Sequence, residues 1–186
     1  MRDINLRYYK NNHSFKSKAM RAAWNFVWAT FFRTTFSHGK IANAWRILLL
    51  RLFGATVGRH CVVKPSCEIW QPWKLEVGDY VALDEKVVCY TVDTIRIGSH
   101  TTVSREAFLC SAGHDIRSVS MGLTTSPISI GNKCWVAARA ILMPGVILGE
   151  GVVIGAGAVV AKSVEPWSVV VGSPGRIVGK RIIGTD

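Results

Sequence analysis

Residues 130–164 read Ile130-Gly131-Asn132-Lys133-Cys134-Trp135-Val136-Ala137-Ala138-Arg139-Ala140-Ile141-Leu142-Met143-Pro144-Gly145-Val146-Ile147-Leu148-Gly149-Glu150-Gly151-Val152-Val153-Ile154-Gly155-Ala156-Gly157-Ala158-Val159-Val160-Ala161-Lys162-Ser163-Val164. An aliphatic residue recurs every six positions without a slip: Ile130, Val136, Leu142, Leu148, Ile154 and Val160. A small residue follows each of them except Leu142, which Met143 follows. Four positions after each aliphatic comes another small or β-branched residue: Cys134, Ala140, Val146, Val152, Ala158 and Val164. Six is too long for one face of a helix and for simple strand alternation. It fits a coil of triangular cross-section, in which each hexad supplies one short strand and one corner. The aliphatic residue points inward, and the small residues relieve crowding and, where they are Gly, permit unusual backbone angles at the turns. Three hexads close a turn, so parallel strands stack along the axis.

Upstream the pattern continues in broken form through Val57 and Val63, Val77 and Leu83, then Ile97, Val103 and Leu109. Ile69 to Val77 spans eight residues, Leu83 to Ile97 fourteen and Leu109 to Ile130 twenty-one. Whole hexads would give six, twelve and eighteen, so loops are expected at about 70–76, 84–96 and 110–129. Crossovers between parallel strands are normally right-handed, and the repeat does not itself decide the hand.

The chain has 186 residues and a formal charge of +11. Ten Lys/Arg and the single acid Asp3 lie in residues 1–54, so the basic character belongs to the leader. A basic patch confined there does not make the chain a nucleic-acid binder, and no nucleic-acid partner is expected. Five cysteines, Cys61, Cys67, Cys89, Cys110 and Cys134, form no C-x-x-C pair. That suggests neither a disulfide framework nor a zinc knuckle, and fits reduced cytoplasmic thiols. Cys61, Cys67 and Cys134 fall on the second small position and are expected to fill core.

No cleavable signal peptide is evident, and the apolar stretch 22–36 is short for a bilayer span and interrupted by Arg33. The leader reads as two basic, aromatic-rich helical segments, Lys18–Phe32 and Ile41–Phe53, separated by Gly39. They are expected to cap the coil, alone or while also touching an anionic membrane at the inner face. The organisation expected is a helical leader (1–54), a β-helix (55–175) with an acceptor loop at 110–129, and a tail (176–186).

The hexads occur with the segment Cys110-Ser111-Ala112-Gly113-His114-Asp115 and the closing Gly172-Ser173-Pro174-Gly175-Arg176. Together they resemble the left-handed β-helix O-acetyltransferases, and within them the colanic-acid and exopolysaccharide biosynthesis enzymes. The leader ending Leu49-Leu50-Arg51-Leu52-Phe53-Gly54-Ala55 resembles theirs too. The resemblance implies a mainly β, left-handed parallel β-helix, a homotrimer, acetyl-CoA as cosubstrate and a carbohydrate acceptor.

It also implies the site. His114 becomes the general base, and an imidazole is suited to take a proton from a sugar hydroxyl and return it to the CoA thiolate. Asp84 and Asp93 become acceptor contacts, Asp84 standing where galactoside-type relatives carry Asn. Their plainer reading is a solvated turn carboxylate. Trp135, Ala138, Gly155, Ala156, Ala161, Lys162, Pro174 and Arg176 become the CoA contacts: small residues where the pantetheine approaches the coil, cations near the phosphates. Lys180 and Arg181 are further phosphate candidates. No metal is expected. A β-helix zinc hydratase needs three converging histidines, and of His13, His38, His60, His100 and His114 only the last has such a context. The alternatives are a small-molecule acetyltransferase of galactoside or antibiotic type and a non-catalytic β-helix scaffold.

Overall fold

The computed structural model describes residues 4–9, 14–33 and 39–184. His13, His38 and the end of the 22–36 stretch lie outside them. The chain from Thr56 winds into a parallel solenoid with three faces. The first face carries Thr56–Val57, Leu75–Val77, Ile95–Ile97, Ile128–Ile130 and Ile147–Leu148. The second carries Val62–Val63, Ala82–Leu83, Thr102–Val103, Trp135–Val136, Val153–Ile154 and Ser168–Val171. The third carries Glu68–Ile69, Val88–Tyr90, Phe108–Cys110, Ile141–Leu142 and Val159–Val160. Arg176–Lys180 returns antiparallel along Ser168–Val171 and closes the far end.

The expected core is the observed one. Ile130, Val136, Leu142, Leu148, Ile154 and Val160 are buried, as are Cys134, Ala140, Val146, Val152, Ala158 and Val164. Burying each larger aliphatic side chain contributes about 1.5–3 kcal/mol. Cys61, Cys67 and Cys134 fill core as read, and all five thiols are free.

Gly58, Gly78, Gly98, Gly131 and Gly149 stack in one column where the first face meets the next corner. A Cβ on Gly98 would lie 2.6 Å from the Asn132 backbone nitrogen, and one on Gly58 2.5 Å from the Gly78 carbonyl oxygen. Close approach of successive coils, not backbone freedom, requires glycine there. The left-handed corner positions fall on other residues, His60, Tyr80, Lys86, His100, Glu106, Lys133, Arg139 and Trp167, and on Gly145, Gly151 and Gly157.

The breaks in register differ from the spacing count in two respects. Cys89 stands in register six residues after Leu83, pairing with Ile69 and Leu109, so the second break falls after Cys89. Asp84 therefore sits in a regular corner, not at a break. Leu109 belongs to the third face and Ile130 to the first. Only one corner separates them, so the insertion is fifteen residues rather than three. A modulo-six count cannot tell one corner from three. All three insertions leave from the same edge, between the third and first faces.

Two helices close the near end: α1, Phe15–Val27, extended by a π-helical turn at Trp28–Phe32, and α2, Lys40–Leu52. A parallel solenoid ends in a row of unpaired backbone groups. Here side chains pair with them. The Trp24 indole donates to the Ile69 carbonyl (2.6 Å), Trp28 to Cys67 (2.9 Å), Arg46 to Val63 (2.8 Å) and Arg51 to Val57. Asn43 donates to the Cys61 carbonyl and accepts from the Val63 amide. Burial lowers the pKa of the Arg46 guanidinium. Phe15, Phe26, Ile41, Leu48 and Leu52 remain exposed on the outer sides of the helices.

Candidate active site

The fifteen-residue insertion folds into a hairpin, Ala112–His114 paired antiparallel with Leu123–Thr125. His114 ends its first strand and is exposed. Its Nδ1 lies 2.8 Å from the Met121 carbonyl oxygen. A carbonyl only accepts, so Nδ1 carries the hydrogen, and in the neutral ring Nε2 presents a lone pair. The N-terminal segment lies against this hairpin. The Asn5 amide donates to the Val119 carbonyl, and the Tyr9 ring is 6.2 Å from the imidazole. Leu6, Tyr9, His114 and Met121 line a cavity of about 370 Å³.

Asp93 lies at the same edge, one coil before the hairpin. Its amide donates to the Ser111 hydroxyl (2.8 Å), and that hydroxyl donates to the Tyr90 carbonyl (2.7 Å). Its Oδ1 accepts from the Thr94 amide. Asp84 lies at a different edge, between the second and third faces, with Oδ1 accepting from the Glu85 amide. Both are turn carboxylates. Trp135, on the second face, is 47 % exposed and donates its indole N–H to the Ser104 hydroxyl (2.9 Å). Ser104 is one coil from Asp84 in the same column, since Leu83 pairs with Val103. Ala138, Gly155 and Ala156 occupy later corners of that column.

The remaining predicted contacts gather elsewhere. Ala161, Lys162, Pro174 and Arg176 line one groove of about 300 Å³ with Ser163 and Ile177. Ala161 and Lys162 lie on the hairpin's edge, two coils further along. Two cations beside small residues fit an extended ligand that ends in phosphates. Lys180 is bonded to the Pro166 carbonyl and the Ser168 hydroxyl, and Arg181 to the Lys133 carbonyl, so both serve the fold.

The candidate residues thus fall into two sets on different edges of one chain: His114, Asp93 and the groove on one, Asp84 and Trp135 on the other. Sequence reasoning missed Leu6, Tyr9 and Met121, which no local pattern links to His114. Among the described residues no three His, Cys, Asp or Glu side chains gather to hold a metal ion.

Residues 127–162 match the family described as bacterial transferase hexapeptide (six repeats). A putative colanic acid biosynthesis acetyltransferase of Escherichia coli (strain K12) is 39% identical over 159 residues, covering 86% of each chain. The hexapeptide-repeat acetyltransferase of Vibrio cholerae O1 biovar eltor complexed with acetyl-CoA superposes with a TM-score of 0.81 at 22% identity, covering 91% of each chain. A galactoside acetyltransferase in complex with coenzyme A gives 0.81 at 24% identity, over 91% of this chain and 84% of that one. Superposition preserves chirality, so the coil has the hand of these neighbours, the left hand that the resemblance implies. The sequence match over most of the chain, together with the shared solenoid, makes this protein a member of the hexapeptide-repeat acetyltransferases.

Proposed function

We propose that the chain transfers acetyl from acetyl-CoA to a sugar hydroxyl, in a surface polysaccharide or its lipid-linked precursor. The observation that carries this reading is the bond from His114 Nδ1 to the Met121 carbonyl, which leaves Nε2 as the base. Nε2 takes the hydroxyl proton as the sugar oxygen attacks the thioester carbonyl. The tetrahedral adduct collapses, the C–S bond breaks, and the imidazolium returns the proton to the CoA thiolate. No covalent enzyme intermediate is needed.

An extended thioester along the hairpin's edge would set its phosphates near Lys162 and Arg176 and its acyl end near His114. Two strand spacings separate those levels, about 10 Å. Asp84 and Trp135 lie on another edge of the same chain, so they act at a neighbour's His114. This is the argument for a homotrimer, with Asp84 and Asp93 on the acceptor and Trp135, Ala138, Gly155 and Ala156 along the pantetheine. The family resemblance and the relatives' names support the reading.

Among the described residues no helix is long and apolar enough to cross a membrane. The leader acts at the cytoplasmic side of the membrane as a peripheral contact. Its outer residues Phe15, Phe26, Ile41, Leu48 and Leu52 are exposed beside Lys16, Lys18 and Lys40, a pairing suited to an anionic bilayer. Flotation with phosphatidylglycerol vesicles but not phosphatidylcholine vesicles is expected, and equal flotation of a chain starting at Ala55 would refute it.

The transfer itself is tested by following CoA release with candidate glycans and locating the acetyl group by mass spectrometry. Acetylation of a polysaccharide fragment is expected. Acetyl transfer to small galactosides or antibiotics but to no glycan fragment would replace this reading with the small-molecule one.

A further inference from the structure

A cavity of about 470 Å³ lies between α1 and the third face, walled by Trp24, Asn25, Trp28, Glu68, Trp70 and Tyr90. Nothing in the acetyl transfer described above uses it. We infer that this cavity is a second sugar subsite, holding a unit of the glycan chain remote from the one being acetylated. The inference rests on the acetyl-transfer reading for its substrate class and on the cavity's own chemistry for its ligand.

The wall combines aromatic surface with a few polar groups, the composition that orients a partly apolar ligand. The indoles of Trp24 and Trp28 already donate to the Ile69 and Cys67 carbonyls. The Trp70 indole nitrogen is buried and has no hydrogen-bond partner among the described residues. Glu68 and Asn25 are exposed at the rim, and the Arg21 guanidinium lies 4.5 Å over the Trp70 ring. An acyl chain would make no use of the Glu68 carboxylate and the Asn25 amide at the rim. A free anion would face that carboxylate. A sugar packs its C–H faces on the aromatic wall while its hydroxyls donate to the Glu68 carboxylate and pair with the Asn25 amide at the rim.

The cavity also lies on the way to His114. Trp70 and Tyr90 stand one above the other along the third face, ring centroids 5.3 Å apart. The Tyr90 carbonyl accepts from Ser111, three residues before His114. Burial, with the Cys110 thiol adding to it and the Arg21 guanidinium opposing it, holds the Tyr90 phenol above its usual pKa. The Trp70–Tyr90 stack thus leads to the coil level of Ser111, from which the hairpin carrying His114 departs. From the Trp70 level to the hairpin is two strand spacings, about 10 Å, a span that a chain of sugars bridges and a single one does not.

The test uses a ladder of one- to four-unit oligosaccharides cut from de-O-acetylated colanic acid. Binding is measured on the His114→Ala protein, and acetyl transfer on the otherwise unaltered chain. The tetrasaccharide is expected to bind at least about tenfold tighter than the monosaccharide. Trp70→Ala and the isosteric Glu68→Gln should each remove that advantage, with KM for acetyl-CoA and activity on the monosaccharide unchanged. No binding, binding independent of length, or a length advantage that survives both substitutions overturns the subsite, even if acetyl is transferred. Length-dependent binding that needs Trp70, with no acetyl transferred to any member, keeps the subsite and removes the acetyl-transfer reading for this glycan.

Discussion

His114 Nδ1 donates to the carbonyl oxygen of Met121 at 2.8 Å, and the bond ties the end of the hairpin's first strand to the loop that leads into its second. The neutral imidazole is therefore held as the Nδ1–H tautomer. A long-range ¹H–¹⁵N spectrum at alkaline pH should show a protonated Nδ1 and a bare Nε2. The opposite tautomer would remove the base from the exposed side of the ring.

Asn43 bridges the open end of the coil, donating to Cys61 and accepting from Val63. Asn43→Asp keeps the acceptor and deletes the donor, leaving the Cys61 carbonyl facing a carboxylate. An unmade bond at a half-buried backbone group costs about 1–3 kcal/mol. At roughly 2–4 °C per kcal/mol for a chain of this size, calorimetry should record a Tm lower by several degrees. An unchanged Tm would mean that the capping bonds do not hold the leader to the coil.

The glycine column is predicted to tolerate no methyl group. Gly98→Ala would press its Cβ onto Asn132 and Gly131 backbone at 2.6 Å, and overpacking of this kind costs about 1–3 kcal/mol or more. Gly113→Ala, whose Cβ meets only the Thr124 hydroxyl at 3.6 Å, should fold with an unchanged melting temperature. Equal Tm values for the two variants would contradict the close-approach account.

Four of the five thiols are buried, and Cys110 alone among them is partly exposed. Burial pushes the Cys89 thiol up to about 12 and holds Cys67 and Cys134 above their usual value. The thiolate is the nucleophile, so iodoacetamide at pH 8 should label native protein at Cys110 only, by peptide mass mapping. Labelling of Cys61, Cys67, Cys89 or Cys134 in the folded protein would contradict the assigned core.

The regular coil was legible because one rule, an aliphatic residue every six, fixes both strand and core from Ile130 to Val160. The insertions were legible as places but not as sizes. Spacing alone could not say that Leu109 and Ile130 sit on adjacent faces, and it misplaced Asp84 at a break. Contacts that join distant segments left no local trace. Tyr9 meets His114 across more than a hundred residues, and Arg46 reaches Val63 through a single bond whose partner is a backbone carbonyl. His114 stood out by its setting, whereas its Met121 partner depends on how the hairpin turns.

The central claim is that His114 is the proton acceptor in acetyl transfer. The direct measurement is kcat for transfer from acetyl-CoA to an acceptor glycan by the wild-type and His114→Ala proteins, with CoA affinity measured in parallel. General-base catalysis of this type contributes about 10²–10⁴-fold. The account predicts a loss of that size in kcat, with the folded solenoid and CoA binding retained. A His114→Ala protein that transfers acetyl at the wild-type rate would contradict it.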